Sequence, residues 1–380
     1  MKNHYFASCP RGLEDILHEE LLSINACDLK KVDGGILFTG NNEVLYRANI
    51  SSRIATRIMY LVKKGTYENE EDIFKSALNV NWDLLFDVKK TIKVSSTAIK
   101  CPLKSVDFMT LRIKDAICDF FRKKFGKRPN VEVREPDIKI HLFLERNSFS
   151  LYIDASGKPL YQRGFRVGSV DAPIKENLAA GIIKLSGWEP GQAFLDPMCG
   201  SGTFLLEAAL IATNQAPGLK RDFGFMAWKN FDKVLFNDIK KSYQNAIIHK
   251  DFLRIYGSDK DLRAIRVSKK NLVLAGFEDC IQLACKQFNE IKPPLDGGVL
   301  VTNPPYGERI GENEDLDNAY PDWARTLKQS FAGWSTYFLT NDFRMPKLMR
   351  LAPSKKTPLF NGALDCRLFE IKMVAGSNRT

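Results

Sequence analysis

The chain has 380 residues, of which 56 are Lys or Arg and 45 Asp or Glu, leaving a formal charge of +11. With 44% hydrophobic and 27% charged residues it holds too much core material for a disordered polymer, and its length predicts two or three domains rather than one. No stretch approaches the roughly 18 apolar residues that span a bilayer, and the opening MKNHYFASCPRGLEDILHEELLSI lacks the apolar run of a secretory leader, so the expectation is a cytoplasmic protein with no membrane partner. Eight cysteines without a Cys-x-x-Cys pair or a histidine at ligand spacing predict reduced thiols and no metal. The positive balance favours a polyanionic partner, nucleic acid first.

In chain order, Leu13, Ile16, Leu17, Leu21 and Ile24 recur at helical spacing over 11–24, and GGILFTG at 34–40 reads as a strand. Helical patterns return at 71–86 and 108–125, the second with Leu111, Ile117, Phe120, Phe121 and Phe125 as its expected apolar face. TIKVSSTA, VEVR, IKIHLFLE and FSLYIDAS read as short strands, so the first 155 or so residues form an α+β region. Residues 89–139 carry 14 Lys and Arg against 6 Asp and Glu, densest in FRKKFGKR at 121–128. Such a run is ordinarily a solvated helix face. Beside a nucleotide-like chemistry motif it becomes a candidate phosphate contact, through Lys123, Lys124, Lys127 and Arg128.

After this region, glycines and prolines mark a connection, and KENLAAGIIKLSG at 175–187 predicts a helix that stops at Gly187. From 191 onward strands and helices alternate: AFLD, a helix from 203, FLRIYGSD, a helix over 262–276, CIQLACK, GVLVTN, a helix over 322–332 and STYFLTN. Repeated βα units predict an α/β, doubly wound, Rossmann-like parallel sheet. The closing pair KTPLFNG and LDCRLFEIKMV, joined at Asn361-Gly362, predicts an antiparallel hairpin at its edge.

Three stretches carry chemistry. In FLDPMCGSGTFLLEAAL, 194–210, a strand ends at Asp196 and runs through a Gly-rich turn, Cys199 to Gly202, into an apolar helix, converging backbone amides on one point. Leu205 stands where a dinucleotide fingerprint needs its third glycine, so the turn suits a different ligand. Asp196 could hold an ammonium while Gly200 and Gly202 let the ligand chain pass, as an amino-acid-like tail requires. In YGSDKD, 256–261, Asp259 falls where doubly wound folds clamp two ribose hydroxyls, and Asp261 reads as a helix N-cap. In VLVTNPPYGERI, 299–310, a buried strand runs into Asn303-Pro304-Pro305-Tyr306. The prolines remove competing amides, so the Asn303 side-chain oxygen and the Pro304 carbonyl can both accept from one planar NH2, with Tyr306 free to stack on the base that carries it.

Together these stretches resemble class I S-adenosylmethionine-dependent methyltransferases of the amino-methylating Asn-Pro-Pro-Tyr type. With YQRGFRVGSVDAPIKENLAAGII and LFNGALDCRLFEIK the likeness narrows to the 23S ribosomal RNA guanine-N2 methyltransferase family. That resemblance implies a ferredoxin-like segment over 1–44, a THUMP RNA-binding domain over 45–155, a linker and first helix over 156–190, and a seven-stranded catalytic domain over 191–380. It implies S-adenosylmethionine as cofactor, held by Asp196, Cys199, Gly200, Gly202 and Asp259, and a target-amine site at Asn303, Pro304 and Tyr306. Gln287 stands where the family usually has an acidic residue for the adenine amino group. The implied partner is 23S ribosomal RNA, free or in a pre-ribosomal particle. Transfer RNA guanine-N2 methylation, DNA adenine-N6 methylation and a catalytically silent RNA-binding protein are the alternatives.

Overall fold

The computed structural model describes residues 2–166, 174–305 and 316–374. In its N-terminal half the elements are β1 (Asn3–Ser8), α1 (Glu14–Ser23), β2 (Cys27–Val32), β3 (Gly35–Gly40), α2 (Asn42–Ser51), β4 (Arg57–Thr66), α3 (Glu70–Leu78), β5 (Ile92–Ile99), α4 (Val106–Phe125), β6 (Ile138–Glu145) and β7 (Ser148–Asp154). Seven strands pair in the order β2-β3-β1-β4-β7-β6-β5, antiparallel except for β5 with β6. The strand β4 joins β1 on one side and β7 on the other, so the sheet runs unbroken across the boundary expected at 44/45, which falls inside α2. VEVR forms no strand, only a single bridge from Val131 to Ile92.

The apolar face of α4 also departs from expectation. It is Met109, Ile113, Ala116, Ile117 and Phe121 that are buried, whereas Leu111 and Phe125 are 55% and 47% exposed. Steps of four, three, one and four residues keep Met109, Ile113, Ala116, Ile117 and Phe121 on one side of a 3.6-residue helix, and Leu111 lies off that stripe.

The second half contains α5 (Glu176–Leu185), β8 (Ala193–Asp196), α6 (Thr203–Ala212), α7 (Lys233–Asn245), β9 (Ile255–Asp259), α8 (Leu262–Ala275), β10 (Gln282–Cys285), β11 (Gly298–Thr302), α9 (Leu316–Ser330), β12 (Trp334–Thr340), α10 (Met345–Met349), β13 (Lys355–Asn361) and β14 (Leu364–Lys372). Their order is β10-β9-β8-β11-β12-β14-β13. The first five are parallel, and the hairpin of β13 and β14 turns at Gly362, whose φ of 66 lies in the left-handed region. Strand order reverses between β8 and β11, which makes their carboxyl ends the crevice of the sheet. Among the described residues α9 already includes Leu316, ahead of the 322 expected, with Pro321 inside it.

The missing third glycine has a structural explanation. A Cβ on Gly257 of β9 would lie 2.4 Å from Leu205 Cδ1. The glycine that allows close helix–sheet packing has moved from α6 to the strand beneath it.

One hydrophobic core runs through both halves. Tyr46 of α2 stacks on Phe225 at 4.7 Å, and the Lys229 and Gly218 amides donate to Leu85 O and Ile50 O at 2.9 Å each. The 214–232 stretch between α6 and α7 thus fills the seam between the two sheets. Arg163, 2% exposed, adds a buried tie: it donates to Arg53 O at 2.6 Å and pairs with Glu207 of α6 at 3.2 Å.

Candidate functional site

The crevice between β8 and β11 brings the three chemistry-bearing stretches onto one edge. Asp196 ends β8 and is 1% exposed, with the Met198 amide donating to it at 3.1 Å. Burial, reinforced by the nearby negative charge of Asp259, pushes its carboxyl up to about 8, against the opposing pull of Met198 and Thr302. The Thr302 hydroxyl lies beside this carboxyl without meeting it in hydrogen-bonding geometry, and it has no other partner among the described residues. A buried acid without a cation is costly to ionise, and an ammonium brought against it would restore the charged form.

The turn after Asp196 is held from below. Gly200 and Gly202 have φ of 54 and 80, a conformation in which side chains are strained, and a Cβ on Gly202 would also press on Ser268 Oγ at 2.9 Å. Ser268 Oγ of α8 donates to Gly200 O at 2.8 Å and Asn271 Nδ2 donates to Ser201 O at 2.9 Å. Neither residue was singled out from the sequence. The signal was there: two polar residues on the buried stripe of an otherwise apolar-faced helix need polar partners. Cys199 is buried, its amide donating to Ser258 O at 2.9 Å. Burial, then the Asp196 and Asp259 charges, push its thiol well above the ordinary range, so it packs the turn and is no nucleophile.

Asp259, at the end of β9, accepts from the Gly200 amide at 2.9 Å through one carboxylate oxygen and from the Asp261 amide at 2.9 Å through the other. It therefore ties two loops together, and each oxygen keeps lone-pair capacity for a hydroxyl. Asp261 caps α8 by accepting from the Arg263 amide at 2.8 Å. Gln287 is exposed just beyond β10, where the Lys286 amide donates to Asp259 O at 3.0 Å and the Gln287 amide donates to Glu290 Oε2 at 2.9 Å. This geometry leaves the Gln287 side chain at the same carboxyl edge as Asp259.

On the other side of the crevice, β11 delivers Asn303 and a buried Pro304. The Asn303 Oδ1 is buried with no hydrogen-bond partner among the described residues. A free acceptor held out of water is expensive to maintain, and an amine donor is what it lacks. Tyr306 lies outside the described residues.

The residues present fit a cofactor with an ammonium and a diol: an acid awaiting a cation, two turn glycines under tight constraint, a helix N-terminus and a second carboxylate at the adjacent strand end. The cationic quartet of the N-terminal half lies in the last turn of α4 and just beyond it, and not on the strand ends that form this crevice. There Lys124 is committed to Asp83 at 2.8 Å, whereas Lys123, Lys127 and Arg128 are exposed. Among the described residues no cluster of His, Cys, Asp or Glu could hold a metal ion, and no helix is long and apolar enough to cross a membrane.

A parallel sheet with a reversed strand order, a glycine turn after its first strand and an Asn-Pro-Pro corner at the fourth define a Rossmann-like methyltransferase fold. The chain belongs to the RMKL-like methyltransferase domain family, whose model matches residues 163–370; a THUMP domain matches 67–154 and an RlmL ferredoxin-like domain 4–59. Two relatives named ribosomal RNA large subunit methyltransferase K/L, from Psychromonas ingrahamii and Shewanella sp. strain W3-18-1, are 36% and 35% identical over 96% and 99% of this chain, and 49% and 54% of their own lengths. The chain thus spans about half the length of the curated relatives it matches. Among solved structures, SMU.472 complexed with SAH superposes with a TM-score of 0.90 at 31% identity over 99% of each chain. A predicted N6-adenine-specific DNA methylase from Listeria monocytogenes str. 4b F2365 superposes at 0.89 and 28% identity over 98% of this chain and 97% of its own. TrmN from Thermus thermophilus, at 0.70 and 18% identity over 98% and 100%, shares the fold.

Proposed function

We propose that this chain transfers a methyl group from S-adenosylmethionine to the exocyclic N2 amine of a guanosine in 23S ribosomal RNA. The observation that carries the reading is the buried Asn303 Oδ1, without a hydrogen-bond partner among the described residues, at the mouth of a crevice whose opposite wall is the buried, cation-seeking Asp196. When bound, the cofactor supplies an electrophilic methyl on a sulfonium, so no strong base is needed. Asp196 holds the ammonium, and Gly200 and Gly202 let the methionyl chain approach α6. Asp259 accepts from the ribose hydroxyls, and Gln287 meets the adenine edge. Asn303 Oδ1 and the Pro304 carbonyl accept both N–H bonds of the target amine, which localises its lone pair and aims it in line; Tyr306 is assigned to the face of the base. A guanine in folded RNA must leave its stack to arrive here, and the THUMP half, with Lys123, Lys124, Lys127 and Arg128, grips the surrounding RNA backbone. The THUMP match supports an RNA substrate, and the relatives' ribosomal RNA names favour ribosomal RNA over transfer RNA.

The test incubates the protein with tritiated S-adenosylmethionine and separate pools of unmodified ribosomal RNA, transfer RNA and duplex DNA, then identifies the labelled nucleoside. N2-methylguanosine in ribosomal RNA is expected. N6-methyl-2′-deoxyadenosine in DNA, the reading that the Listeria relative's name favours, would replace it. Asn303→Ala should lower methylation by roughly 10³-fold while cofactor binding by calorimetry persists; an active variant removes Asn303 from the site.

A further inference from the structure

The second half carries a cationic groove outside the crevice described above. It has a volume of about 820 Å3 and lies between α9 and α10. Its rim holds Arg325, Lys328, Lys347 and Arg350, all exposed, and its floor includes Ala324 and Leu348. Among the described residues no carboxylate lines it. Both walls grow from the elements that flank the Asn303 strand: α9 is the next described helix after β11, and α10 follows β12, the parallel neighbour of β11. Arg344 to Asp317 at 3.1 Å ties the two walls at the carboxyl edge, and Lys328 Nζ donates to Arg350 O at 3.3 Å farther down. Neither Arg344 nor Asp317 lines the groove, so it opens below the edge that holds Asn303, from Pro321 toward Arg350, and runs away from that edge.

Two features separate this groove from an ordinary solvated helix face. Arg325 has an exposed, easily exchanged partner in Asp322 at 2.9 Å, but Lys347 and Arg350 have no ion pair among the described residues. Arg350 is also the C-cap of α10 with φ 50 and ψ 44, a left-handed position that favours glycine or asparagine. Lys100 and Arg146 share this positive φ elsewhere; here it ends α10 with the exposed Arg350 side chain on the rim of the groove.

We propose that this groove binds the sugar-phosphate backbone of the RNA substrate, on the segment leading away from the base held at Asn303. Four cations without a lining anion match a polyanionic strand, and the apolar floor suits sugar edges. This rests on the RNA reading above. It adds a second, catalytic-half grip to the one on the THUMP half.

The experiment uses the full chain and unmodified 23S ribosomal RNA transcript. Lys347→Glu with Arg350→Glu should weaken RNA binding by at least about tenfold at moderate salt and reduce the salt slope by about one unit per lost phosphate contact. KM for the RNA should rise with kcat at saturation unchanged, and SAH affinity by calorimetry should stay the same. Arg350→Gly is the control for folding: it should raise the melting temperature by relieving the left-handed strain and still weaken RNA binding. If wild type methylates the RNA and both variants match its KM and salt slope, the groove is not an RNA site, while the RNA reading stands. Unchanged RNA affinity with lost binding to an acidic protein would likewise overturn the proposal. A wild type that neither binds nor methylates RNA would sink the parent reading itself.

Discussion

Both halves of the molecule are built on a seven-stranded sheet, yet among the described residues it is the second sheet whose reversed strand order opens a crevice. In the N-terminal sheet antiparallel pairing sends successive strands in opposite directions, so the loops divide between two edges. In the second sheet β8, β9, β10, β11 and β12 all point the same way and the order reverses between β8 and β11. Their carboxyl ends then gather Asp196, Asp259, Gln287 and Asn303 along one edge. Strand direction, rather than composition or strand count, separates a surface that can grip a polymer from a pocket that can do chemistry.

The largest expected effect concerns how the two sheets are joined. Arg163→Ala would strand Glu207 without its cation inside the seam, and should cost about 3–5 kcal/mol in denaturant unfolding. Pairing Arg163→Met with Glu207→Leu should recover most of that loss. If the single variant unfolds like wild type, the halves are joined by packing alone.

Next comes the acid of the parallel sheet. Asp196→Asn should weaken S-adenosylmethionine binding by roughly 100-fold, since a charged hydrogen bond contributes about 1.5–3 kcal/mol. Its raised ionisation near 8 also sets the pH dependence. Below pH 8 the carboxyl is protonated in the free protein and must lose that proton to meet an ammonium, so cofactor affinity should fall as pH drops. Calorimetry in buffers of different ionisation enthalpy should register the released proton. Stability of the free protein follows the opposite course. A carboxyl whose folded value is raised binds more protons folded than unfolded, so stability falls as pH climbs from the ordinary carboxylate range toward 8. Asp196→Asn should flatten that slope, and an unaltered slope would show that the acid is not buried uncharged.

Smaller effects probe the turn and then the grip. Ser268→Ala removes one support of the glycine turn and should raise the cofactor Kd about fivefold, the worth of roughly 1 kcal/mol, with the RNA KM unchanged. Lys123→Glu with Arg128→Glu, on the antiparallel half, should weaken RNA binding and flatten its salt dependence without touching cofactor affinity. An unchanged salt slope would return this cluster to a solvated helix end, where cations already offset the dipole of α4.

The alternation of strands and helices after 191 could be read from the sequence, α7 and α10 excepted, because each βα unit carries its own period, and the hairpin because Asn361-Gly362 fixes its turn. The Asp196 turn, Asp261 as an N-cap and the Asn303 corner were legible for a related reason: short-range backbone rules place polar residues at strand and helix ends.

What needed the tertiary structure was everything that depends on residues distant in the chain. The α4 stripe was misjudged because several apolar residues lie off the buried face, and only the opposing sheet selects among them. Ser268 and Asn271 acquire a role through the packing of α8 beneath a turn about 70 residues earlier. Gly257 takes over the close approach that the turn itself could not provide. The seam filled by 214–232 and the groove of Lys347 and Arg350 likewise exist only once separate elements meet. Local sequence determined which elements form and where their ends carry chemistry; long-range packing decided which of those ends face one another, because burial and charge act through space and not along the chain.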